Sequence, residues 1–292
     1  MANILPSELI INPDGSIYHL KLKPGELADT VLLVGDPGRV ESVSARFDRV
    51  ELKRQNREIV THTGWIGNKR LTVLSTGMGT DNIDIVLNEL DALVNIDFAT
   101  RMPKPVLTSL NLIRLGTTGS IQAEIPVNSF IVSEYGLGID TVLNFYKGRN
   151  QQFCPELEKA FIAQTQWDPA LGRPYIVKAD PELLSHFGKG FIKGFTATAP
   201  GFYGPQGRVL RAPLMHPDLN DRISAFTFNG LQVTNFEMET SALYGLSALL
   251  GHKAATVCLV IANRASGKFN DDYKTTMHQL IGELLTILVE KC

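Results

Sequence analysis

The residues best suited to chemistry lie where apolar segments of the chain end. Four apolar segments are each followed by glycine, hydroxyl-bearing or arginine residues: Gly35-Asp36-Pro37-Gly38-Arg39, Ser75-Thr76-Gly77-Met78-Gly79, Arg114–Gly119 and Ala262-Asn263-Arg264. In α/β sheets, ligands bind in the crevice at the carboxyl ends of the strands. Four such endings in one chain therefore predict a single crevice that they share.

The segment Leu112–Gln122 is the richest of these endings. An apolar strand is predicted to stop at Arg114, and Gly116-Thr117-Thr118-Gly119 follows it. Glycines allow close backbone approach, hydroxyls donate hydrogen bonds, and a guanidinium is a planar fork that suits phosphate. The pattern predicts an oxyanion cradle. The alternative is an ordinary turn with a solvated arginine, and the segment alone does not separate the two.

The acidic pair in Glu237-Met238-Glu239 is predicted to open a helix running to about residue 250. Thr234-x-x-Glu237 fits a capping box, which is a sufficient structural explanation for the presence of Glu237. Glu239 lies two positions further, about 200° around a helix, so the two carboxylates should not share a face. Glu239 is then either an exposed acid at the helix start or an inward-facing acceptor for sugar hydroxyls, and the residues alone favour the exposed acid.

The loop Phe202–Arg208 combines an aromatic ring with the amide of Gln206 and the guanidinium of Arg208. A stacking surface beside paired donors and acceptors suits a planar heterocycle with imide edges. Loops commonly hold such residues without binding anything, which is the alternative.

Strands and helices alternate along the sequence, which favours an α/β fold around a largely buried sheet. Strands are predicted near 31–35, 58–65, 70–75, 112–114, 129–134, 190–199, 231–234 and 254–262. Helices are predicted near 40–47, 83–94, 155–166, 181–187, 237–250 and from 272 onward. Residues 1–30 look irregular, and 209–230 carry too mixed a pattern to assign. Without an internal repeat or long linker, one domain over residues 1–292 is expected.

Composition excludes several classes of function. Hydrophobic residues make up 44% of the chain, charged residues make up 20%, and the net charge is −2, with no block of like charge. A nucleic acid or an anionic membrane is therefore not an expected partner. The three cysteines, Cys154, Cys258 and Cys292, are widely spaced, which suits a reducing cytosol. The first residues lack signal-peptide character, so a cytoplasmic location is expected.

Known cofactor motifs are absent or incomplete. Gly77-x-Gly79 opens a predicted helix as a dinucleotide fingerprint does, but Asn82 stands at the place of the third glycine, which disfavours a nicotinamide or flavin. The six histidines are scattered without metal-ligand spacing, so no metal site is expected.

Read in order, these segments resemble the nucleoside phosphorylase family, in its uridine phosphorylase branch. The resemblance covers nearly the whole chain and rests on the number, order and spacing of matching segments. These are Tyr18-His19-Leu20, Gly35-Asp36-Pro37-x-Arg39, Asn56-Arg57-Glu58, Ser75-Thr76-Gly77-Met78-Gly79, Ile113–Gly119, Phe202-Tyr203…Gln206-Gly207-Arg208, Glu237-Met238-Glu239 and Val260–Arg264.

The resemblance implies a role for each matching residue. Phosphate would be held by Gly35, Arg39, Arg114 and Thr117, with Arg57 supplied by a neighbouring subunit. Ribose would be held by Met238 and Glu239, with the neighbour's His19 at the 5′-hydroxyl. The base would be held by Phe202, Gln206, Arg208, Ile261 and Ala262. Arg114, Glu239 and Arg208 would carry the catalysis.

The resemblance also implies a single α/β domain with a twisted mixed sheet, and a homo-oligomer, either a dimer or a trimer of dimers. Its active sites would be shared, with the segment 1–30 contributing to the neighbour's site. The activity would be phosphorolysis of uridine, with phosphate as co-substrate and no metal or organic cofactor; deoxyuridine and thymidine remain open as substrates. Some members bind a monovalent cation through the acid matching Glu58, but Asn82 and Asp81 replace the usual residues nearby. Phe236 stands where many bacterial members carry tyrosine.

Three other functions compete with this one. A purine nucleoside phosphorylase would carry an aspartate near the purine N7, but Val260–Arg264 contains no acid. A hydrolytic nucleosidase would have no use for a clamp of Arg39, Arg57 and Arg114. A non-catalytic nucleoside sensor on the same fold is a further alternative, because a fold does not fix a function.

Overall fold

The computed structural model describes residues 3–291. Its strands are β1 Thr30–Val34, β2 Arg49–Asn56, β3 Ile59–Ile66, β4 Lys69–Ser75, β5 Ile96–Asp97, β6 Met102–Pro103, β7 Asn111–Ser120, β8 Phe130–Gly138, β9 Tyr175–Lys178, β10 Phe191–Thr198, β11 Thr227–Phe228, β12 Leu231–Gln232, β13 Asn235–Glu237, β14 Lys253–Asn263 and β15 Lys268–Phe269. Its α-helices are α1 Pro37–Ser44, α2 Thr80–Asn95, α3 Pro155–Gln164, α4 Pro181–Ser185, α5 Leu219–Ala225, α6 Thr240–Leu250 and α7 Tyr273–Lys291.

Eleven strands form one mixed sheet in the order β15-β14-β8-β10-β13-β7-β1-β4-β3-β2, with β9 beside β8. β14 also pairs with β7, so β14, β8, β10, β13 and β7 close into a ring. The strands β1, β4, β7 and β14 run parallel to their neighbours in this set, so their carboxyl ends meet at one edge. This is the mixed α/β sheet that the sequence predicts.

The core has a layer on each face of the sheet. In β1, Val31 and Leu33 pack in a cluster with α2 and α6, whereas Leu32 and Val34 pack in a cluster with α1 and α7. Successive side chains of a strand point to opposite faces, so a continuous apolar run is buried on both sides. The predicted buried strand at 31–35 is confirmed for this reason.

Several predicted boundaries are confirmed, and others are wrong. The predicted strands and helices from residue 31 to 95 are present, but β2 was not predicted because its charged sequence lies at the exposed edge of the sheet. The unassigned region 209–230 contains α5 and β11. The described part of the first 29 residues contains neither helix nor strand, as predicted. Within residues 3–291, no helix combines the length and apolarity that a membrane span needs.

Candidate active site

A cleft of about 1020 Å³ opens at the edge where the parallel strands end. It is lined by most of the residues that the sequence singled out: Gly35, Arg39, Arg114, Thr117, Phe202, Gln206, Arg208, Met238, Glu239, Ile261 and Ala262. The four segment endings therefore share one crevice, as predicted.

The glycine turns after β1 and β4 bring two loops together at the floor of this cleft. A Cβ atom on Gly35 would lie 3.4 Å from the carbonyl oxygen of Gly77, so the two turns are in close contact. Gly77 and Gly79 adopt φ of +73° and +97°, a conformation that side chains disfavour. In this turn the Gly79 N–H donates to Glu239 Oε1 over 2.8 Å. The turn thus positions an acid from a distant part of the chain.

Arg114 lies inside β7 and not at its end, so the predicted strand boundary is wrong. β7 continues to Ser120 because β14 supplies backbone partners along the segment, pairing Cys258 with Gly116 and Leu259 with Thr117. Arg114 and Gly116 lie on one face of the strand, and the guanidinium folds over the glycine. A Cβ atom on Gly116 would lie 2.0 Å from Arg114 Nη1, so only glycine leaves room for it.

The prediction for the acidic pair is also wrong. Glu237 ends β13 and Glu239 precedes α6, so neither is a helical residue and no capping box forms. Both carboxylates reach the same guanidinium: Glu239 pairs directly with Arg114 Nη2, and Glu237 Oε2 lies 3.3 Å from Arg114 Nη1. Glu239 is only 3% exposed, which excludes the exposed acid that the residues alone favoured.

The Glu237 carboxylate next to the Arg114 guanidinium is held by several hydrogen-bond donors. It accepts hydrogen bonds from Thr198 Oγ1 (2.6 Å), from the Glu239 N–H (2.9 Å) and from the Thr240 N–H. These donors satisfy the buried oxygens of the carboxylate. Glu237 is thereby held against Arg114, and both carboxylates line the cleft.

Burial and neighbouring charges shift the acid–base properties of this cluster. Burial lowers the pKa of the Arg39 guanidinium, and the positive charge of Arg114 lowers it further. Burial opposes the charge of Arg114, but Glu239 and Glu237 outweigh it and raise its pKa above the usual value. Burial raises the pKa of Glu239, and Glu237 adds to this against the attraction of Arg114. Two guanidinium groups that disfavour each other define a site suited to an anion.

Cys258 lies against this cluster but is chemically quiet. Arg114 Nη1 contacts its sulfur at 3.4 Å, and burial raises the pKa of the thiol to about 12. Because the thiolate is the nucleophilic form, this fully buried thiol serves packing beside Arg114.

A second cluster in the cleft combines the amide of Gln206 with the guanidinium of Arg208. Arg208 Nη1 donates to Gln206 Oε1 (2.6 Å) and to the Phe202 carbonyl (2.7 Å), and the guanidinium lies 3.9 Å above the Phe202 ring. The Asn220 amide donates to the Gln206 carbonyl at 2.7 Å and holds the loop. Burial lowers the pKa of Arg208, and the nearby charge of Arg264 adds to the shift.

Two predicted residues lie outside the cleft. His19 lies in the segment before β1, and Arg57 lies with φ +54° in the exposed turn between β2 and β3. The structure nevertheless brings them close together, because Asn56, next to Arg57, donates from Nδ2 to the His19 carbonyl at 2.8 Å. Their predicted action on a neighbouring subunit stays a prediction.

Some cleft residues were not predicted as site residues. Arg264 and Tyr273 line the cleft, and Arg264 lies 5.9 Å from the Phe236 ring. Arg264 could have been predicted, because the Asn263-Arg264 pair follows an apolar segment of the sequence. Nothing in the local sequence marks Tyr273, which opens a helix that mainly packs on the sheet.

The fold and the cleft define a member of the phosphorylase superfamily: the family model matches residues 29–292, and the chain belongs to this superfamily. Among curated relatives, a uridine phosphorylase from Thermococcus kodakarensis is 30% identical over 283 residues, covering 95% of this chain and 88% of the relative. A DeoD-type purine nucleoside phosphorylase from Hahella chejuensis is 28% identical over 275 residues, covering 90% and 98%. A solved Trypanosoma brucei nucleoside phosphorylase, described as showing uridine phosphorylase activity, is 32% identical with a TM-score of 0.86, covering 97% and 99% of the two chains.

Proposed function

We propose that this protein catalyses the phosphorolysis of uridine to uracil and ribose 1-phosphate. The observation that carries the proposal is the set of groups that line one cleft. Arg114 and Glu239 pair directly, with Arg39 close enough for its charge to be felt, and Arg208 and Gln206 form a second cluster in the same cleft. An anion, a sugar and a planar base match these groups chemically. The relative of 30% identity and the solved structure of 32% identity carry the same activity in their descriptions.

In the reaction, a phosphate oxygen bonds to C1′ of the ribose while the bond from C1′ to N1 of the base breaks. Arg39 and Arg114 orient the phosphate by charge-assisted hydrogen bonds, so that the attacking oxygen is already in place. Glu239 accepts from the ribose hydroxyls, and its negative charge also favours the positive charge that develops on the sugar. The electron pair of the broken bond leaves with the base, whose oxygens face Gln206 and Arg208.

Arg114 serves both halves of this site. It pairs with the Glu239 carboxylate. Phosphate offers Arg114 a further anionic partner, and the ribose hydroxyls offer Glu239 further donors. One guanidinium therefore links the phosphate-binding and the sugar-binding groups of the proposed site.

The direct test is release of uracil from uridine with and without phosphate. Uracil and ribose 1-phosphate are expected only when phosphate is present. Equal release in phosphate-free buffer would instead establish a hydrolase. Binding of uridine without turnover under either condition would establish a nucleoside sensor.

The base end of the cleft favours a pyrimidine over a purine. Gln206 both donates and accepts, and Arg208 donates, which matches the imide edge of uracil. The strand end from Val260 to Arg264 contains no acid to meet a purine N7. Purine nucleoside phosphorylases are also among the relatives, so inosine is the competing substrate to measure. Whether deoxyuridine and thymidine are also cleaved belongs to the same assay.

The active site is proposed to be shared between two copies of the chain. The juxtaposition of His19 and Arg57 outside their own cleft supports this, because one patch can reach a partner's cleft and receive the same patch in return. Mixing Arg57→Ala with Glu239→Ala protein, followed by subunit exchange, should restore part of the activity, since one of two mixed sites regains both residues. If heterodimers form and no activity returns, the site is built within one chain.

Localisation and cofactors also remain proposals. A cytoplasmic enzyme without metal or organic cofactor fits the composition and the chemistry above. The monovalent cation at Glu58 stays a prediction from the resemblance, and no step described here passes through it.

A further inference from the structure

A second, smaller cleft of about 240 Å³ lies between the N-terminal segment and α2. His19 and Glu89 both line it, and it contains none of the residues that line the main cleft. Because the proposed function places His19 at a partner's ribose, the surroundings of this histidine bear on the reaction. The inference below rests on that proposed function.

Both carboxylate oxygens of Glu89 contact the segment that contains His19. The His19 N–H lies 3.0 Å from both carboxylate oxygens, and the Leu20 N–H donates to Oε2 at 2.9 Å. The side chain of His19 adds a fourth contact, with Nδ1 2.6 Å from Oε1. The three backbone contacts hold the segment in place. The contact with Nδ1 holds the orientation of the imidazole ring.

This contact selects one tautomer of the neutral imidazole. A carboxylate accepts hydrogen bonds and does not donate them, so Nδ1 must carry the proton. In the neutral ring the other nitrogen, Nε2, is then the acceptor, and it lies on the opposite edge of the ring. A sugar hydroxyl is a donor that an acceptor nitrogen can receive. The same logic orients histidines at metal sites through a partner carboxylate.

The packing around the ring fixes its direction as well. The Tyr18 ring packs edge-on against it with centroids 4.6 Å apart, and Asn56 holds the backbone carbonyl of His19. The side chain of His19 is still 27% exposed, against 13% for Glu89. Part of the His19 side chain therefore remains accessible while Glu89 holds its Nδ1.

We infer that Glu89 is a positioning residue that holds His19 in the Nδ1–H form, so that its Nε2 receives the 5′-hydroxyl of the nucleoside in the neighbouring subunit. Glu89 touches neither substrate and acts through His19 alone. The inference assigns to the active site a residue of α2 that lies outside the main cleft.

The test compares uridine with 5′-deoxyuridine, which lacks the hydroxyl that His19 would receive. Glu89→Gln keeps an oxygen for the backbone N–H groups but offers an amide that can donate to Nδ1. The preference in kcat/KM for uridine over 5′-deoxyuridine should fall about tenfold in this variant, the loss of roughly one well-placed hydrogen bond. His19→Ala should lose the same preference, and adding Glu89→Gln to it should cost nothing further.

Two controls separate positioning from simple structural damage. Glu8→Gln changes an exposed acid of the same small cleft and should leave the preference unchanged. Nitrogen NMR of labelled histidine should show His19 protonated on Nδ1 in the wild type and shifted toward Nε2–H in Glu89→Gln. This second readout does not depend on turnover.

An equal loss on both substrates, or an unchanged tautomer, overturns the inference and makes Glu89 a structural residue. If the tautomer changes in Glu89→Gln but His19→Ala keeps the full preference for uridine, the pairing stands and the role of His19 at the sugar is wrong, which also overturns it. Absence of phosphate-dependent cleavage by the wild type refutes the proposed function itself. The NMR result then still reports whether Glu89 determines the tautomer of His19.

Discussion

Replacing Arg114 by methionine tests the central ion pair. A further substitution, Glu239→Gln, should then restore much of the stability without restoring activity. The side chain of Arg114 is 5% exposed and faces two carboxylate side chains that are 2% and 4% exposed. Removing the guanidinium leaves Glu239 without a countercharge. Glu237 keeps its hydrogen bonds from Thr198 and from two backbone N–H groups. Breaking a buried pair in this way costs about 3–5 kcal/mol.

For a chain of this size, that cost corresponds to a fall in Tm of roughly 5–8 °C. Adding Glu239→Gln to the Arg114→Met variant removes the unpaired charge and should recover a large part of the stability. Activity should not recover, because the groups proposed to orient the phosphate and to bind the sugar are then both missing. Thermal unfolding by circular dichroism and phosphate-dependent uracil release measure the two properties on the same samples.

The pH dependence of the Arg114→Met variant has a definite sign. Without the guanidinium, the one nearby charge that lowers the pKa of Glu239 is lost, while burial and Glu237 still raise it. A carboxyl group whose folded-state pKa lies above its unfolded value binds more protons when folded. The contribution of Glu239 to the stability of the variant is therefore full below the ordinary glutamate range and is lost as pH rises through the raised pKa. A variant that unfolds at the wild-type Tm, or whose stability relative to the Arg114→Met/Glu239→Gln double variant does not fall with rising pH, would refute the description of this pair.

Three further predictions concern other parts of the cleft. Gly116→Ala should lower kcat/KM at least tenfold, with a smaller effect on Tm than Arg114→Met, because its Cβ atom displaces the guanidinium; wild-type kinetics would show that Arg114 has room to move. Gln206→Leu should reduce the preference for uridine over inosine by roughly a hundredfold or more, measured as the ratio of kcat/KM values, and an unchanged ratio would assign base selection elsewhere. Uridine binding measured by calorimetry should weaken as pH falls through the raised pKa of Glu239, and this dependence should vanish in Glu239→Gln; an identical pH profile in both proteins would contradict the assignment.

Much of the architecture follows from local patterns. The apolar run at β1 predicts a strand buried on both faces, and the glycine turns after β1 and β4 predict where the ligand crevice lies. These features depend on the alternation of side chains along a strand and on the backbone freedom of glycine. Both are properties of neighbouring residues, so a sequence carries them directly.

The chemistry of the site depended on contacts between distant segments. Local pattern placed Arg114 at a strand end, but pairing with β14 extends the strand through Ser120 and places the guanidinium over Gly116. Helical geometry separated Glu237 from Glu239, but β13 and the turn before α6 direct both carboxylates to Arg114.

The sequence by itself determined the α/β class, the crevice and the residue types available for an anion, a sugar and a base. Only the tertiary structure decided which charges meet, because ion pairs such as Arg114–Glu239 and His19–Glu89 join residues far apart in the chain. Local propensity acts over a few residues, whereas these pairs are set by strand order and by the packing of α2 beside the N-terminal segment.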